Sequence, residues 1–307
     1  MNTPVLVDAF ATGFQKTRIY RLSPDTFVWD RRPGADRSTA MEAPDPATGR
    51  LLTSLAPSTV QLSLPVAKNG GMHYTAPAAV SVAMLLWADV SPTAHTRLAA
   101  ALEGTGGLLR LIHTRTPPLD GRTGPSGPAR LSSWMDSGAG PRSAATLHRD
   151  LRRKLGERRW TTVRDWCEEL TLRRSCDVLL HGAPSTGSLI PGPQGDDGVL
   201  LTGEDINRGS ATFDIGWLLG EFLELRMTAQ HHGAAKPWLA ELPRALMAGY
   251  GPAGSDTAIG RAAVLRVMTH AHDFSAYVGW HSELDVYGAS LPRYIDSDGQ
   301  AAVDGSA

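Results

Sequence analysis

Between Val178 and Asp214 the chain concentrates the residues that could do chemistry. An apolar run (Val178, Leu179, Leu180) leads into His181-Gly182-Ala183-Pro184-Ser185-Thr186-Gly187-Ser188-Leu189-Ile190. Downstream stand Asp196-Asp197-Gly198, then Val199-Leu200-Leu201-Thr202-Gly203-Glu204-Asp205, Gly209 and Phe213-Asp214-Ile215-Gly216. The groups here that could serve acid–base or metal-assisted chemistry are the acids, the hydroxyls and one imidazole. Ala183 carries no side-chain oxygen, and Ser188 and Thr202 carry neutral hydroxyls that are poor Mg²⁺ ligands. His181 reads as a packed loop residue. Asp214 sits in an apolar setting between Phe213 and Ile215, and a carboxylate buried there would be tolerable only where donors meet it.

Other constellations are weaker. His270, His272, Asp273 and His281 invite a metal-site reading. On a helix, however, His270 and His272 point to different faces, and no i, i+4 spacing joins two of these histidines. His231-His232 reads as a surface pair at a helix end. No Gly-x-Ser-x-Gly elbow marks a serine nucleophile. Cys167 and Cys176 are the only cysteines, too few for a metal cluster or a disulfide framework. Neither a metal nor a cofactor is expected from these residues.

The layout around His181 resembles the aminoglycoside phosphotransferase and choline kinase family. Its members read His-Gly-Asp, a short spacer, Asn and two hydrophobic residues, then hydrophobic-Asp-Trp-Glu, a Gly and Asp-Leu-Ala. In register, the family's catalytic-base Asp falls on Ala183, its metal-binding Asn on Ser188 and its second metal-binding Asp on Thr202. Glu204, Gly209 and Asp214 match the family's own residues, and the two anchors, His181-Gly182 and Gly209 with Asp214, give the same register. Leu108–His113 resembles the family's leucine-x-x-leucine-His helix, and Met247–Gly251 its late Gly-Tyr-Gly segment. Near the N-terminus, 18–22 and 27–30 read as two strands about a Pro24-Asp25 turn. The family ends that second strand with the Lys that grips ATP phosphates. The matching residue here is Asp30, a charge reversal, and Glu42 would stand where the family's helix carries the Lys partner.

This resemblance implies an α+β, bilobal, protein-kinase-like fold. Residues 1–90 would form a small mainly-β N-lobe and 91–307 a larger mainly-α C-lobe, carrying the catalytic loop at 181–190 and the metal-loop remnant at 199–205. It also implies a pseudokinase, degenerate at Ala183, Ser188, Thr202 and Asp30, with His181, Gly182 and Asp214 kept as structural motif. Such a protein would bind a peptide or protein partner. Kinase-like relatives occur in bacterial pathways where phosphorylation of Ser or Thr precedes elimination, so a lyase or a precursor peptide is the partner expected. One alternative is a divergent but active phosphotransferase acting with Mg-ATP on a peptide or small-molecule hydroxyl, with Glu204, Asp205, Asp196 or Asp197 as acid groups. Another is a small-molecule binding protein using the interlobe cleft.

Composition sets the outer bounds. The chain has 307 residues, long enough for a two-lobed unit, with 42% hydrophobic and 20% charged residues. A net charge of −1 gives no global reason to expect nucleic acid or an anionic membrane as partner. The longest apolar runs, such as 80–88, are too short to span a bilayer. The N-terminus lacks a signal peptide's basic-then-apolar order, and cytoplasm is the expected compartment.

The remaining pattern positions the motifs. Residues 17–22, 26–30, 58–66 and 79–88 read as β-type runs, and Asp89-Val90-Ser91-Pro92 as the hinge. Residues 114–146 read as a long loop around a short element at 131–135. Helical spacing predicts helices over 143–172, 213–227, 238–250 and 258–277, with 296–307 frayed. The outer face of the first of these is basic. From Arg142 to Arg174 there are ten Arg or Lys against five Asp or Glu. Arg149, Arg152, Arg153, Arg158 and Arg159 are the candidate surface for an acidic partner.

Overall fold

A computed structural model describes residues 3–87, 92–116, 124–172, 174–193, 197–233 and 238–303. Three strands open it: β1 (Val5–Ala11), β2 (Gln15–Ser23) and β3 (Thr26–Pro33). Helix α1 (Pro46–Thr53) starts where Asp45 caps it, accepting from Ala47 N at 2.9 Å and Thr48 N at 3.0 Å, with Pro46 in the first turn. Then come β4 (Val60–Ser63), β5 (Val66–Lys68) and β6 (Gly71–Ala76). The first sheet runs β1-β2-β3-β6-β5, antiparallel throughout.

The predicted run at 58–66 is two strands belonging to different sheets. β4 leaves the N-terminal sheet and pairs in parallel with β9 (Gly198–Leu201), which also pairs with β8 (Leu189–Pro191). The run at 79–88 is not a strand. It holds helix α2 (Val82–Trp87), and a short apolar run does not by itself distinguish the two. The Met84 amide donates to Ser81 Oγ at 3.3 Å, and the Ala83 amide donates to Thr186 O at 3.0 Å, tying α2 to the loop after His181. The predicted hinge at 89–91 lies outside the described residues. Pro92 opens α3 (Pro92–His113).

Helix α4 (Ser126–Ser137) occupies part of the predicted long loop and is longer than the expected element. Helix α5 (Ala144–Glu169) is interrupted at Gly156, whose φ of 74° and ψ of 163° lie outside helical space, so the predicted single helix is two. Short strands β7 (Val178–Leu180) and β10 (Asn207–Gly209) pair antiparallel. Helix α6 (Thr212–His231) is buried almost without a break from Phe213 to Leu223, which makes it the axis of the helical part. Around it pack α7 (Trp238–Tyr250), α8 (Asp256–Tyr277), α9 (Glu283–Asp296) and α10 (Gln300–Val303). No described helix is long and apolar enough to cross a membrane.

An apolar cluster joins the sheet to the helical part. Ile19, Trp29, Met72, Tyr74 and Ala76 of the sheet meet Ile190 and Leu201 of β8 and β9, and Trp29 Nε1 donates to Ala78 O at 3.0 Å. This contact fixes which face of the first sheet looks onto the His181 loop.

Candidate functional site

The loop after β7 is held from beneath by Asp214. The amide of His181 donates to Asp214 Oδ2 at 2.7 Å and that of Gly182 to Oδ1 at 2.9 Å. His113 Nε2, at the end of α3, lies 3.0 Å from Oδ2, and its Nδ1 lies 2.8 Å from the Tyr250 hydroxyl at the end of α7. Asp214 is fully buried, and these donors are what make a carboxylate tolerable there. Three separate sequence signals, the Leu108–His113 helix, the 247–251 segment and Phe213-Asp214, therefore meet at one carboxylate. Gly182 has φ +85°, and a Cβ there would come within 1.7 Å of Asp205 O, so only glycine fits the turn.

His181 packs rather than projects. Burial lowers its pKa and keeps the ring neutral, its Nε2 lies 3.3 Å from Leu201 O, and its Nδ1 has no partner. Beyond Gly182 the chain lines an interlobe cleft of about 320 Å³, bordered by Ala183, Ser185, Gly187, Ser188, Leu201, Gly203, Glu204 and Asp205 and, from the sheet side, by Phe10, Phe14, Gln15, Arg31, Met41 and Tyr74. The Ser185 and Ser188 hydroxyls bond to each other, and the Ser188 amide donates to Ser185 Oγ at 3.1 Å. Thr202 is buried, its amide donates to Ser63 O at 3.0 Å, and its hydroxyl has no partner.

The acids near the cleft are engaged. Arg37 Nη2 binds both Glu204 oxygens at 2.5 Å while its guanidinium lies 4.6 Å from the Phe14 ring centroid, and Ser126 Oγ bonds Asp205 Oδ1. Both acids sit in the turn after β9 ends at Leu201, not on a strand with Thr202. Asp197 is exposed in the β8–β9 connection and does not line the cleft, and Asp196 lies outside the described residues. Glu42 is exposed in the stretch before α1. A divalent ion does not fit this lining: Ala183 gives no oxygen, Ser188 gives a hydroxyl already shared with Ser185, and the Thr202 hydroxyl is sealed in the interior.

Asp30 requires a correction. Side chains alternate along β3, so Trp29 and Arg31 face the cleft side and Asp30 faces away. Asp30 is buried on the outer face, bound by Arg32 Nε at 3.0 and 3.1 Å, with His73 Nε2 at 3.4 Å on the paired strand. It does not confront a ligand in the cleft. The cleft-facing charge on β3 is Arg31, which donates to Gly187 O at 3.1 Å and lies 5.6 Å from the Tyr74 ring centroid. Sequence reasoning missed Arg31: alternation places it on the face of Trp29, but only the packing of the sheet shows that this face meets the cleft.

The sequence matches no protein-family model and no curated protein. Solved structures do resemble it. A choline/ethanolamine kinase family protein from Mesorhizobium loti superposes with TM-score 0.50 at 13% identity, over 97% of this chain and 92% of that one. The GDP and kanamycin complex of APH(2")-IIia gives TM-score 0.50 at 13% identity, over 95% and 92%. Spectinomycin phosphotransferase APH(9)-Ia, in complex with ADP and spectinomycin, gives 0.51 at 11% identity, over 98% and 94%. The chain has the aminoglycoside phosphotransferase and choline kinase fold. At these identities the likeness establishes architecture alone, and it places the His181 loop, the Asp214 junction and the cleft within a kinase-like scaffold.

The remaining predicted residues lie elsewhere on this kinase-like chain. The α5 arginines are largely neutralised: Arg152 by Glu157 at 2.8 Å, Arg153 by Asp150 at 2.7 Å, and Arg158 and Arg159 by Asp296 at 2.8 and 2.7 Å. Among the described residues Arg149 reaches only the Thr146 hydroxyl, at 3.4 Å. The basic face of the sequence is thus a face of paired charges. The histidines do not converge either. His270 Nε2 meets Glu224 at 3.1 Å, His272 Nδ1 meets Asp273 at 2.8 Å, and Asp273 is taken by Arg130 at 2.7 Å. No group of three or more metal-ligating side chains occurs among the described residues. Cys167 is buried and Cys176 exposed, both as free thiols.

Proposed function

We propose that this chain is a kinase-fold protein that does not carry out ordinary metal-dependent phosphoryl transfer, a pseudokinase that binds a peptide or protein partner. The observation that carries this reading is the chemistry of the cleft lining. Where transfer needs a carboxylate beside the acceptor and oxygen ligands for metal, the cleft has the Ala183 methyl and two hydroxyls bonded to each other at Ser185 and Ser188, while the Thr202 hydroxyl is sealed in the interior away from it. The two acids that remain, Glu204 and Asp205, already have partners in Arg37 and Ser126. The scaffold around this lining is intact, which fits a protein used for its shape and surfaces. A peptide substrate or a lyase subunit of a phosphorylation–elimination pathway is the partner this reading favours. The paired α5 arginines are a weaker docking surface for it than the cleft mouth.

A second reading has one observation in its favour. Arg31 supplies a cation on the cleft side of β3, and Glu204 and Asp205 border the same space, so a divergent Mg-ATP-dependent phosphotransferase retains some of the needed charges. Labelled ATP with Mg²⁺, offered with candidate peptides and amino sugars, separates the two. The first reading expects no label transfer and no Mg²⁺-dependent rise in melting temperature at millimolar ATP. A ligand at a hundredfold excess over Kd would stabilise the fold by about 2.7 kcal/mol, so binding of that strength would be plain. Metal-dependent label transfer lost on Asp205→Asn would establish the second reading instead.

A further inference from the structure

Strand β1 is an open edge. It ends the first sheet on one side and pairs only with β2 among the described residues. Its Val5, Leu6, Val7 and Phe10 side chains stand half-exposed. An uncovered edge with apolar side chains is a template for pairing with another chain.

The polar groups of that edge can be placed. Where β1 turns into β2, the Thr12 amide donates to Gln15 O at 2.8 Å. In an antiparallel ladder, pairs that exchange backbone bonds alternate with pairs that do not. Counting back from Thr12 and Gln15, the pairs Ala11 with Lys16 and Ala9 with Arg18 are of the second kind, so Ala9 and Ala11 turn their N–H and C=O groups away from β2. The Ala9 amide agrees: it donates to Asp8 Oδ1 at 2.7 Å, a bond between neighbours that an incoming carbonyl could replace. A register shift between Leu6 and Asp8 confines the regular edge to 8–11.

The side chains say what would fit there. Ala9 and Ala11 share a face with Arg18 and Lys16, opposite the face of buried Ile19. Both cations are exposed, and among the described residues neither enters an ion pair or a hydrogen bond. Only methyl groups stand between them and the open edge. Neighbouring strands lie about 4.8 Å apart, so a strand added to β1 would lie about 10 Å from β2, a span that an extended Arg or Lys and a Glu cover together. Phe10 points to the other face, 6.5 Å from the Trp29 ring, and borders the cleft.

We propose that β1 takes an extended acidic peptide as an antiparallel sixth strand, with its backbone on Ala9 and Ala11, acidic side chains at alternate positions on Arg18 and Lys16, and an apolar side chain between them on Phe10. A second copy of this chain suits the edge less, because its own β1 presents alanines where the two cations need acids. This rests on the reading of the chain as one that binds a peptide partner, and it sets that peptide at the cleft mouth.

Calorimetry at low salt tests it with the probe acetyl-Ser-Val-Glu-Val-Glu-Val-Ser-amide. The probe should bind with an affinity that falls as salt rises. Methylating the two Glu amides removes the N–H groups that would reach the Ala9 and Ala11 carbonyls, and should weaken binding by roughly tenfold or more. Lys16→Glu combined with Arg18→Glu should weaken it by at least as much, with the melting temperature held because both side chains are exposed. Arg152→Glu on α5 should leave binding unchanged, and a loss there would move the site to α5 and overturn the proposal. Failure of the probe to bind overturns it, as does binding that either the amide methylation or the double substitution leaves intact. A dimer that excludes the probe, seen by sedimentation, would assign the edge to a second copy and overturn it too. Label transfer from ATP in Mg²⁺ would sink the pseudokinase reading while leaving docking on β1 standing, so the two failures are distinguishable.

Discussion

At Asp214 each carboxylate oxygen is met by a loop amide, and the ring of His113 closes the junction from the far side. Away from that junction the fold leaves polar atoms unmatched: the Arg31 Nε on β3 and the Thr202 hydroxyl just after β9 are buried without partners. The junction bears on the stability of the whole molecule, because an unmet carboxylate in the core would cost several kcal/mol. The cleft wall is under a weaker constraint, because its hydroxyls at Ser185 and Ser188 are neutral and bond to each other. The two acids that line the cleft, Glu204 and Asp205, are met by the side chains of Arg37 and Ser126, where Asp214 is met by two backbone amides and a ring.

Removing the junction's acid should have the largest effect. Asp214→Ala leaves two loop amides and His113 without their acceptor, and should destabilise the fold by about 3–5 kcal/mol in urea titrations. A loss below about 1 kcal/mol would mean that the junction is not what holds the loop. Next, Gly182→Ala forces a Cβ to within 1.7 Å of Asp205 O at a backbone φ of +85°. We expect a loss of roughly 2 kcal/mol or more. In contrast, Ala183→Asp, one residue on and facing the open cleft, should cost about 1 kcal/mol at most and should not create label transfer. If those two neighbours behave alike, the contrast between saturated junction and open cleft is wrong.

A smaller effect comes from a buried cluster on α6 and α8. Burial pushes the Glu224 carboxyl up to about 7, partly offset by Arg266, while its neighbour His270 is pushed down to about 4, by burial first and then by Arg266. Below pH 4.5 Glu224 is protonated whether the chain is folded or not, and its contribution to stability is fully present. Between pH 4.5 and about 7 the unfolded chain releases the proton first, so that contribution is lost as pH rises. His270 works in the opposite direction between about 4 and 6.5. Glu224→Gln removes the carboxyl's contribution together with its contact to His270, and its melting temperature relative to wild type should climb from pH 5 to pH 8. A flat difference would show that Glu224 is ionised in the fold at neutral pH.

The smallest effect is expected on α5. Reversing Arg152, Arg153, Arg158 and Arg159 to Glu breaks exposed pairs with Glu157, Asp150 and Asp296, and exposed pairs contribute little. The melting temperature should move by only a few degrees. Co-purification of a partner should persist if the cleft mouth is the docking surface. Its loss would return the partner site to the α5 face.

The sequence alone determined the kinase-like architecture and the junction. His181-Gly182 and Gly209 with Asp214 were legible because their order and spacing resemble the family's motif, although the contacts that hold them, Gly182 against Asp205 O and Asp214 against the loop amides and His113, join residues 23 to 101 apart. Long buried helices such as α6 and α8 were legible because apolar spacing is a local property. Tertiary structure alone decided which side of β3 faces the cleft. A strand repeats every two residues, so an alignment displaced by one turns Asp30 outward and brings Arg31 in. The same holds for the charges. Glu204 is taken by an arginine 167 residues away, and Arg158 and Arg159 by an aspartate 138 and 137 residues away. Pairing at that separation is set by how helices and sheet pack, and composition along the chain carries no trace of it.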